Sequence, residues 1–369
     1  MWKPSVLTFF QLALLATATP APAAVVEGLS PRTPTPGLID DLLGGVLSVV
    51  GQLIKDVLNG VKSAQSGEIS SKPLICLSLV DPCCVCMCSL SPNKLPLPQF
   101  SSSFSLIQKL KIGWDVSAEL TKLFKESNGQ CNDNARAAVR FGFHDAGSWD
   151  KNAANGGADG SLMMDFGEQN RPENNGLQNI RTVLRGVQSK FGVGYADLAQ
   201  YAHNHATVTC PKGPRIHTFV GRKDATKAAP TGLLPDVHSP ADDLIKLFED
   251  KGFSPHDLAA LVGAHSSAKQ RFVEPAKAGF PLDTTPGVWD VEFYNETLQS
   301  PPDSRIFVLP SDKVLSVHPR INDEWLEFVG DQQHWNEDYS KAYVRMSLTG
   351  VNNFNDLKVC TKTLPAPST

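Results

Sequence analysis

Residues 132–147 read NDNARAAVRFGFHDAG, and this stretch carries the signals of a complete helix. Alanine, arginine and valine fill its interior, Asn132 or Asp133 is available as N-cap, and Gly147 is a helix stop. The stretch therefore predicts one helix with both ends marked.

Arg140 and His144 are four residues apart in this helix and share a face, with Phe143 beside them. A cation and a titratable imidazole directed into one space suit chemistry in which a proton moves and negative charge develops. The alternative is a solvated helix face, the commoner setting for such a pair.

A second histidine helix is predicted within residues 254–272, SPHDLAALVGAHSSAKQRF. Ser254 is a suitable N-cap, Pro255 suits the first turn, and Asp257 stands three residues after the cap. His265 falls near the helix end and is either a satisfied core residue or an axial metal or haem ligand fixed by a carboxylate. The apolar face of this helix consists of Leu258, Leu261, Val262 and Ala264.

Each histidine helix is tied to a loop rich in oxygen donors. Carboxylates, hydroxyls and backbone carbonyls are the donors that Ca²⁺ takes in six- to eightfold coordination, although polar surface turns have a similar composition. The first set of donors is Asp145, Gly157, Asp159 and Ser161. The second set is Ser266, Asp283, Thr285, Val288 and Asp290.

The chain has 369 residues, of which 41% are hydrophobic and 20% charged, as in a soluble globular protein. Its net charge of −4 gives no general attraction to nucleic acid or anionic membranes. Residues 1–24 have the layout of a secretory signal peptide, the alternative being a buried apolar helix. No later apolar run is long enough to span a bilayer, so a secreted protein without a membrane anchor is expected.

Composition divides the remaining chain. Residues 25–36 are predicted to be a linker, and residues 37–63 contain one or two amphipathic helices of a swapped or loosely packed extension. Residues 68–111 show neither helical nor strand periodicity, and one hypothesis is that they are translated non-coding sequence. Residues 112–363 are predicted to form a mainly α domain with short β pieces, and residues 364–369 a short tail.

An oxidising compartment favours disulfides over metal-bound thiolates. Three cysteines are scattered, at positions 131, 210 and 360. The other five are crowded, and this cluster is either a soft-metal ligand set or a chance arrangement in an unusual segment. The crowded cysteines are Cys76, Cys83, Cys84, Cys86 and Cys88.

Six segments in order resemble the secreted fungal haem peroxidases, the class II branch of the plant, fungal and bacterial peroxidase superfamily. They are RFGFHDAG at 140–147, GGADGS at 156–161, GRKDATKAAPTGLLP at 221–235, DLAALVGAHS at 257–266, LDTTPGVWD at 282–290 and LPSD at 309–312. The resemblance implies a two-lobed, all-helical fold that holds haem b between a distal and a proximal helix.

The resemblance also implies the roles of individual residues. His265 would be the axial iron ligand, and Asp312 would accept its second ring N–H. His144 would be the distal acid and base, Arg140 would stabilise developing charge, and Asn174 would orient His144.

Other family features are implied in the same way. Phe143 would form the aromatic wall of the distal side, and the two oxygen-rich loops would each bind Ca²⁺. Cys131 and Cys210 would form a disulfide. Cys360 lacks its family partner, since Asp323 stands where that partner is sought, and it is expected to pair with the N-terminal cysteine cluster.

Departures from the family pattern restrict the electron donor. Manganese-oxidising members use three carboxylates where this chain has Asp133, Ala137 and Arg271. Ligninolytic members carry a surface tryptophan where this chain has Ala260, and the usual proximal aromatic residue is Leu282. Both specialised routes are therefore disfavoured.

The expected function is a monomeric secreted peroxidase that reduces hydrogen peroxide and oxidises phenols and similar small aromatics. One alternative is oxidation through another surface aromatic, namely Trp149, Trp289 or Trp335. Another is a catalytically silent relative that acts as a binding protein. A single glycosylation sequon, at Asn295, is consistent with a secreted surface.

Overall fold

Helices supply almost all of the regular structure of this protein. The computed structural model describes residue 39 and residues 43–67 and 112–369. In these ranges the only named strands are β1, Phe219–Val220, and β2, Lys358–Val359, which pair antiparallel. The expected mainly α fold with short β pieces is confirmed.

Eleven α-helices lie in the described ranges. They are α1 Val49–Leu58, α2 Ile112–Phe124, α3 Asp133–Gly147, α4 Gln178–Phe191, α5 Tyr195–Thr209, α6 Ala241–Glu249, α7 Pro255–Val262, α8 Glu292–Leu298, α9 Pro310–Ser316, α10 Asn322–Glu327 and α11 Gln332–Met346.

The expected signal peptide at 1–24, the linker at 25–36 and the segment at 68–111 lie outside the described residues, as does the crowded cysteine cluster. None of the helices in the described ranges has the length and hydropathy of a transmembrane segment.

Helix α1 is the amphipathic helix expected in residues 37–63. The Ser48 hydroxyl accepts from the Gly51 N–H at 3.1 Å and caps its start. Ile54, Val57 and Leu58 are buried, and the helix packs against α11. The segment is therefore integrated into the core and is not the loosely packed extension that the sequence suggested.

The end of this N-terminal segment also joins the main body through the backbone. The Ser66 N–H donates to the Arg215 carbonyl at 2.9 Å, and the His217 N–H donates to the Ala64 carbonyl at 2.9 Å. Residues 64–66 thus run beside residues 215–217 as an added strand-like edge.

Helix α5 is the central element, because every residue after Tyr195 in it is buried. Its polar side chains find internal partners. Asp197 forms an ion pair with Arg222 at 3.2 Å, and His203 lies between the Val139 carbonyl and the Tyr339 hydroxyl, at 2.7 and 2.9 Å. Burial lowers the pKa of His203 to about 3, so this imidazole is neutral.

A disulfide between Cys131 and Cys210 connects the start of α3 to the end of α5. Their Cα atoms are 4.6 Å apart across a sequence separation of 79 residues. This pairing was expected from the family resemblance and is confirmed. It holds the histidine helix against the central helix at one end.

Two helical glycines give opposite predictions for substitution by alanine. A Cβ atom at Gly142 would lie 2.6 Å from His203 Cβ and 2.7 Å from the Tyr343 hydroxyl, whereas one at Gly186 meets nothing within 4 Å. Gly142→Ala should lower the free energy of unfolding by about 1–3 kcal/mol, because it overpacks the α3–α5 contact.

The matched substitution Gly186→Ala should raise the free energy of unfolding by about 0.5–1 kcal/mol through helix propensity. Chemical denaturation measures both. Equal effects of the two substitutions would contradict the close approach of α3 to α5.

Candidate active site

Helix α3 places Arg140 and His144 one turn apart on the same face, as the sequence predicted. The helix starts where expected, since the Asn132 side chain accepts from the Asn134 and Ala135 N–H groups at 3.0 and 3.1 Å. The local capping contacts therefore set the start of the helix, and the start of the helix sets the positions of Arg140 and His144.

The tautomer of His144 follows from its two hydrogen bonds. Arg140 Nε donates to His144 Nε2 at 3.1 Å, so Nε2 is the unprotonated nitrogen. His144 Nδ1 then carries the proton and donates it to Asn174 Oδ1 at 2.9 Å. The imidazole therefore has a basic nitrogen at a defined position.

Asn174 is held in turn by a residue that sequence reasoning missed. Its Nδ2 donates to the backbone carbonyl of Glu168 at 2.9 Å, which directs Oδ1 towards His144. A backbone carbonyl carries no residue-specific signal, so no sequence pattern reveals this contact. The same loop binds Arg140, whose guanidinium donates to the Asn175 and Glu173 carbonyls at 2.9 and 2.8 Å.

The electrostatic environment keeps His144 neutral. Burial and the charge of Arg140 hold the pKa of His144 well below its ordinary range, with a smaller contribution in the same direction from His265. Desolvation lowers the pKa of Arg140 to about 10, so the guanidinium stays charged at neutral pH. A neutral base therefore lies beside a fixed cation, and the two imidazoles are within electrostatic range of one another.

On the proximal side, α7 begins with the expected capping box. The Asp257 N–H donates to the Ser254 hydroxyl at 3.1 Å, and the Ser254 N–H donates to Asp257 Oδ2 at 2.9 Å. The α-helix ends at Val262, however, and His265 lies in the 3₁₀ turn Gly263–Ser267.

The early end of α7 has a tertiary cause. The Tyr294 hydroxyl donates to the Ala259 carbonyl at 2.8 Å, and Trp335 Nε1 donates to the Ala260 carbonyl at 3.0 Å. These donors replace the helical N–H groups that a continued α-helix would supply. A Cβ atom at Gly263 would lie within 2.5 Å of both donor side chains, so only glycine fits there.

His265 is oriented by Asp312, as the resemblance implied. The two are 2.9 Å apart from Nδ1 to Oδ2, and Asp312 is only 1% exposed. The carboxylate therefore accepts a hydrogen bond from Nδ1–H and leaves Nε2 available as a metal ligand. The buried ring of Phe293 meets His265 edge to face at 5.8 Å and is a contact that sequence reasoning missed.

This donor set fits haem. One imidazole has a free Nε2 and a carboxylate behind it, which is the proximal arrangement that haem iron takes. Arg140, His144 and His265 all retain solvent-accessible surface, although the neighbouring residues Phe141 and Ser266 are fully buried. Phe143, the predicted aromatic wall, stacks on Phe248 at 6.2 Å.

The distal oxygen-rich loop brings its carboxylates together. Asp145 is fully buried, and its Oδ2 accepts from the Gly160 N–H at 3.1 Å, while Asp159 accepts from the Gly156 N–H at 3.1 Å. Burial, and then the charge of Asp159, raise the pKa of Asp145 well above its ordinary value. The loop also contains the predicted donors Gly157 and Ser161, and its concentrated negative charge fits a divalent cation.

The proximal oxygen-rich loop also concentrates negative charge. The Thr285 hydroxyl donates to Asp290 Oδ1 at 3.0 Å, and the Thr285 N–H donates to Asp283 Oδ1 at 2.9 Å. Among the described residues, buried Asp283 Oδ2 and Ser266 Oγ have no hydrogen-bond partner. Burial and the charge of Asp290 raise the pKa of Asp283 to about 9.

These unpaired oxygens fit a cation bound by the second predicted set of calcium donors, which also includes Val288. Glu296, which the sequence did not single out, adds a third acid. Its carboxylate accepts from the Thr284 hydroxyl and N–H at 2.6 and 2.9 Å.

The structure supports neither manganese oxidation nor oxidation through a surface tryptophan. Asp133 is surrounded by cations, with Lys269 and Arg271 nitrogens at 3.6 and 3.7 Å. The three tryptophans considered as surface aromatics are not at the surface, and Ala260 is itself fully buried. The exposed fractions of Trp149, Trp289 and Trp335 are 3%, 0% and 0%.

Comparisons with known proteins identify the family of this chain. A family model described as Peroxidase matches residues 116–331. The low-redox potential peroxidase of Taiwanofungus camphoratus is 32% identical over 262 residues, which cover 66% of this chain and 74% of that protein. A peroxidase of Arthromyces ramosus is 29% identical over 277 residues, which cover 69% of this chain and 76% of that protein. Versatile peroxidase VPS1 of Pleurotus eryngii is 30% identical over 274 residues, covering 68% of this chain and 72% of that protein.

The family match spans more than half of the chain and contains both histidine helices. The chain therefore belongs to the peroxidase family, among the fungal class II haem peroxidases, as its sequence motifs implied.

Proposed function

We propose that this peroxidase is secreted, holds haem b through His265, and reduces hydrogen peroxide to water while it oxidises phenols and similar small aromatics by one-electron steps. The observation that carries the proposal is a neutral, oriented His144 within electrostatic range of the His265–Asp312 couple. Haem, when bound, supplies the redox chemistry, and the protein groups control protonation and charge.

His144 is proposed to move the proton. Its Nε2 lone pair accepts a proton from one peroxide oxygen and returns it to the other, which leaves as water. Asn174 supports this exchange, because its Oδ1 keeps the second ring proton on Nδ1. Arg140 lies beside Nε2 and stabilises the negative charge that develops on the departing oxygen.

Asp312 is proposed to control the proximal ligand. A buried carboxylate that accepts from Nδ1 gives His265 partial imidazolate character and raises its basicity. A more basic ligand stabilises the higher oxidation states of iron.

The environment of the site favours small aromatic molecules as electron donors. The cations around Asp133 would repel Mn²⁺, and the candidate tryptophans are buried. The relative from Taiwanofungus camphoratus is named a low-redox potential peroxidase, which supports phenols as donors, although other relatives are named ligninases.

Secretion is supported by the signal-like N-terminus and by the Cys131–Cys210 disulfide. Asn295, the single sequon asparagine, is exposed on α8 and accessible for glycosylation. A monomeric state remains a prediction from the sequence.

His144→Leu should slow the reaction with peroxide by about 10²–10⁴-fold, because the general base is lost. Stopped-flow absorption after one equivalent of peroxide measures this rate, and the unreacted haem spectrum checks that haem is bound. His238→Leu, which changes a histidine outside the site, is the control. A His144→Leu protein that reacts at the wild-type rate would contradict the proposal and indicate a different base.

The pH dependence of the same rate tests the charge of Arg140. His144 must be neutral to accept a proton, so the rate falls as pH drops through its pKa. Because the pKa of His144 is lowered, the wild-type rate should stay constant through the ordinary histidine range near pH 6.5. Arg140→Leu removes the neighbouring charge, so the pKa of His144 rises and the acid limb moves to higher pH.

Arg185→Leu, which removes from α4 a guanidinium paired with Asp165, is the control for this profile. It should leave the acid limb where it is in the wild type. An acid limb that is the same in Arg140→Leu and in the wild type would contradict the electrostatic role of Arg140.

We also propose that each oxygen-rich loop binds Ca²⁺. Chelation should lower the melting temperature, since a ligand at 100 times its Kd stabilises a fold by about 2.7 kcal/mol. Asp283→Asn should reduce the bound calcium by one ion per chain, and its melting temperature should respond less to chelation. Asp303→Asn, which alters a carboxylate paired with Arg305 outside both loops, is the control, and calorimetry with metal analysis measures both properties. A melting temperature insensitive to chelation would show that the loops are ordinary turns.

A further inference from the structure

A cluster of two histidines and two carboxylates lies outside the proposed active site, where three helices meet. His256 is in the first turn of α7, Glu324 is on α10, and His334 and Asp338 are one turn apart on α11. The active-site chemistry uses none of these side chains.

Three side chains of the cluster, His256, Glu324 and Asp338, have the spacing of ligands to one metal ion. Asp338 Oδ2 lies 2.9 Å from His334 Nε2 and 3.1 Å from His256 Nε2, and Glu324 Oε1 lies 3.8 Å from His334 Nε2. Neighbouring donors in a tetrahedral zinc site, with bonds of about 2.0–2.1 Å, are about 3.3 Å apart. His256, Glu324 and Asp338 each offer a donor atom within 4.8 Å of the others.

Hydrogen bonding leaves two of these oxygens unsatisfied. Glu324 Oε1 and Asp338 Oδ2 are buried, and neither has a hydrogen-bond partner in the described part of the chain. The imidazole nitrogens approach Asp338 Oδ2 closely, yet they are not aligned as donors to it. Close donor atoms without a shared proton are the arrangement expected around a cation.

An aromatic wall supports the cluster from behind. Phe328 is fully buried, and it meets the rings of His256 and His334 edge to face at 6.3 and 5.2 Å. His256 Nδ1 also lies 2.7 Å from Glu324 Oε2. Apolar backing and carboxylate contacts of this kind orient metal-ligating imidazoles.

We propose that His256, Glu324 and Asp338 bind one Zn²⁺ ion with a water molecule as the fourth ligand, and that His334 orients Asp338. One imidazole nitrogen and two carboxylate oxygens suit Zn²⁺, whereas Ca²⁺ prefers oxygen ligands alone. Two carboxylates also balance the charge of a divalent ion when both imidazoles are neutral.

The bound ion joins the start of α7 to α10 and α11. Helix α7 leads directly into the turn that carries His265, so the ion stabilises the proximal half from the end opposite His265. Its role is structural, and the proposal is independent of the proposed peroxidase chemistry.

Zinc titration of the full chain, with haem and Ca²⁺ present and other metals removed, tests the proposal. Isothermal titration calorimetry and metal analysis should find one zinc ion per chain with a Kd in the micromolar range or below. The melting temperature should rise with zinc, and Co²⁺ should give the visible absorption of a four-coordinate site. No stoichiometric zinc binding would overturn the proposal.

Variants distinguish this cluster from other zinc-binding groups. Asp338→Asn and His256→Ala should each weaken zinc binding by more than about tenfold and abolish the rise in melting temperature. His318→Ala, which alters a surface histidine 3.1 Å from Asp242, should bind zinc as the wild type does. Circular dichroism checks folding of each variant, and equal zinc affinity in folded His256→Ala and the wild type would also overturn the proposal.

Discussion

The hydrogen bond between His265 Nδ1 and Asp312 Oδ2 is the contact on which the candidate active site depends. It joins the turn after α7 to α9 in a buried position, and it determines which ring nitrogen remains available. The contact requires α7 to end early, which Tyr294 and Trp335 permit because they bind its free carbonyl groups. The hydrogen bonding of the free carbonyl groups, the packing of the aromatic rings and the orientation of His265 therefore depend on one another.

The distal and proximal sides use charge in similar ways. The acidic residue Asp145 directly follows His144, and Ser266 directly follows His265. Each of these neighbours belongs to a buried cluster of oxygen donors whose negative charge is unfavourable without a cation. Cation binding at either loop would thus act on the position of the adjacent histidine, which explains why stability and activity should depend on the same ions.

The N-terminal segment is part of the peroxidase body in a way that its composition did not indicate. Helix α1 buries Ile54 and Val57 against the C-terminal helix α11, and residues 64–66 extend the edge formed by residues 215–217. Apolar spacing indicates that a helix has a buried face, but it does not identify what covers that face.

The sequence by itself determined the local features of this protein. The starts of α3 and α7 follow from capping at Asn132 and Ser254, since the contacts lie within a few residues. The pairing of Arg140 with His144 likewise follows from helical spacing. Ordered motifs shared with a known family indicated the further roles that we propose for Asn174 and Asp312.

Only the tertiary structure decided the rest, because those contacts join residues that are distant in the chain. It ends α7 at Val262, holds Asn174 through a backbone carbonyl, and places Phe293 against His265. It also buries the tryptophans that sequence reasoning had considered as surface groups, and it gathers the metal-ligand cluster from three helices. Burial and long-range contact depend on how helices pack, and helix packing is not encoded by the spacing of residues within a single helix.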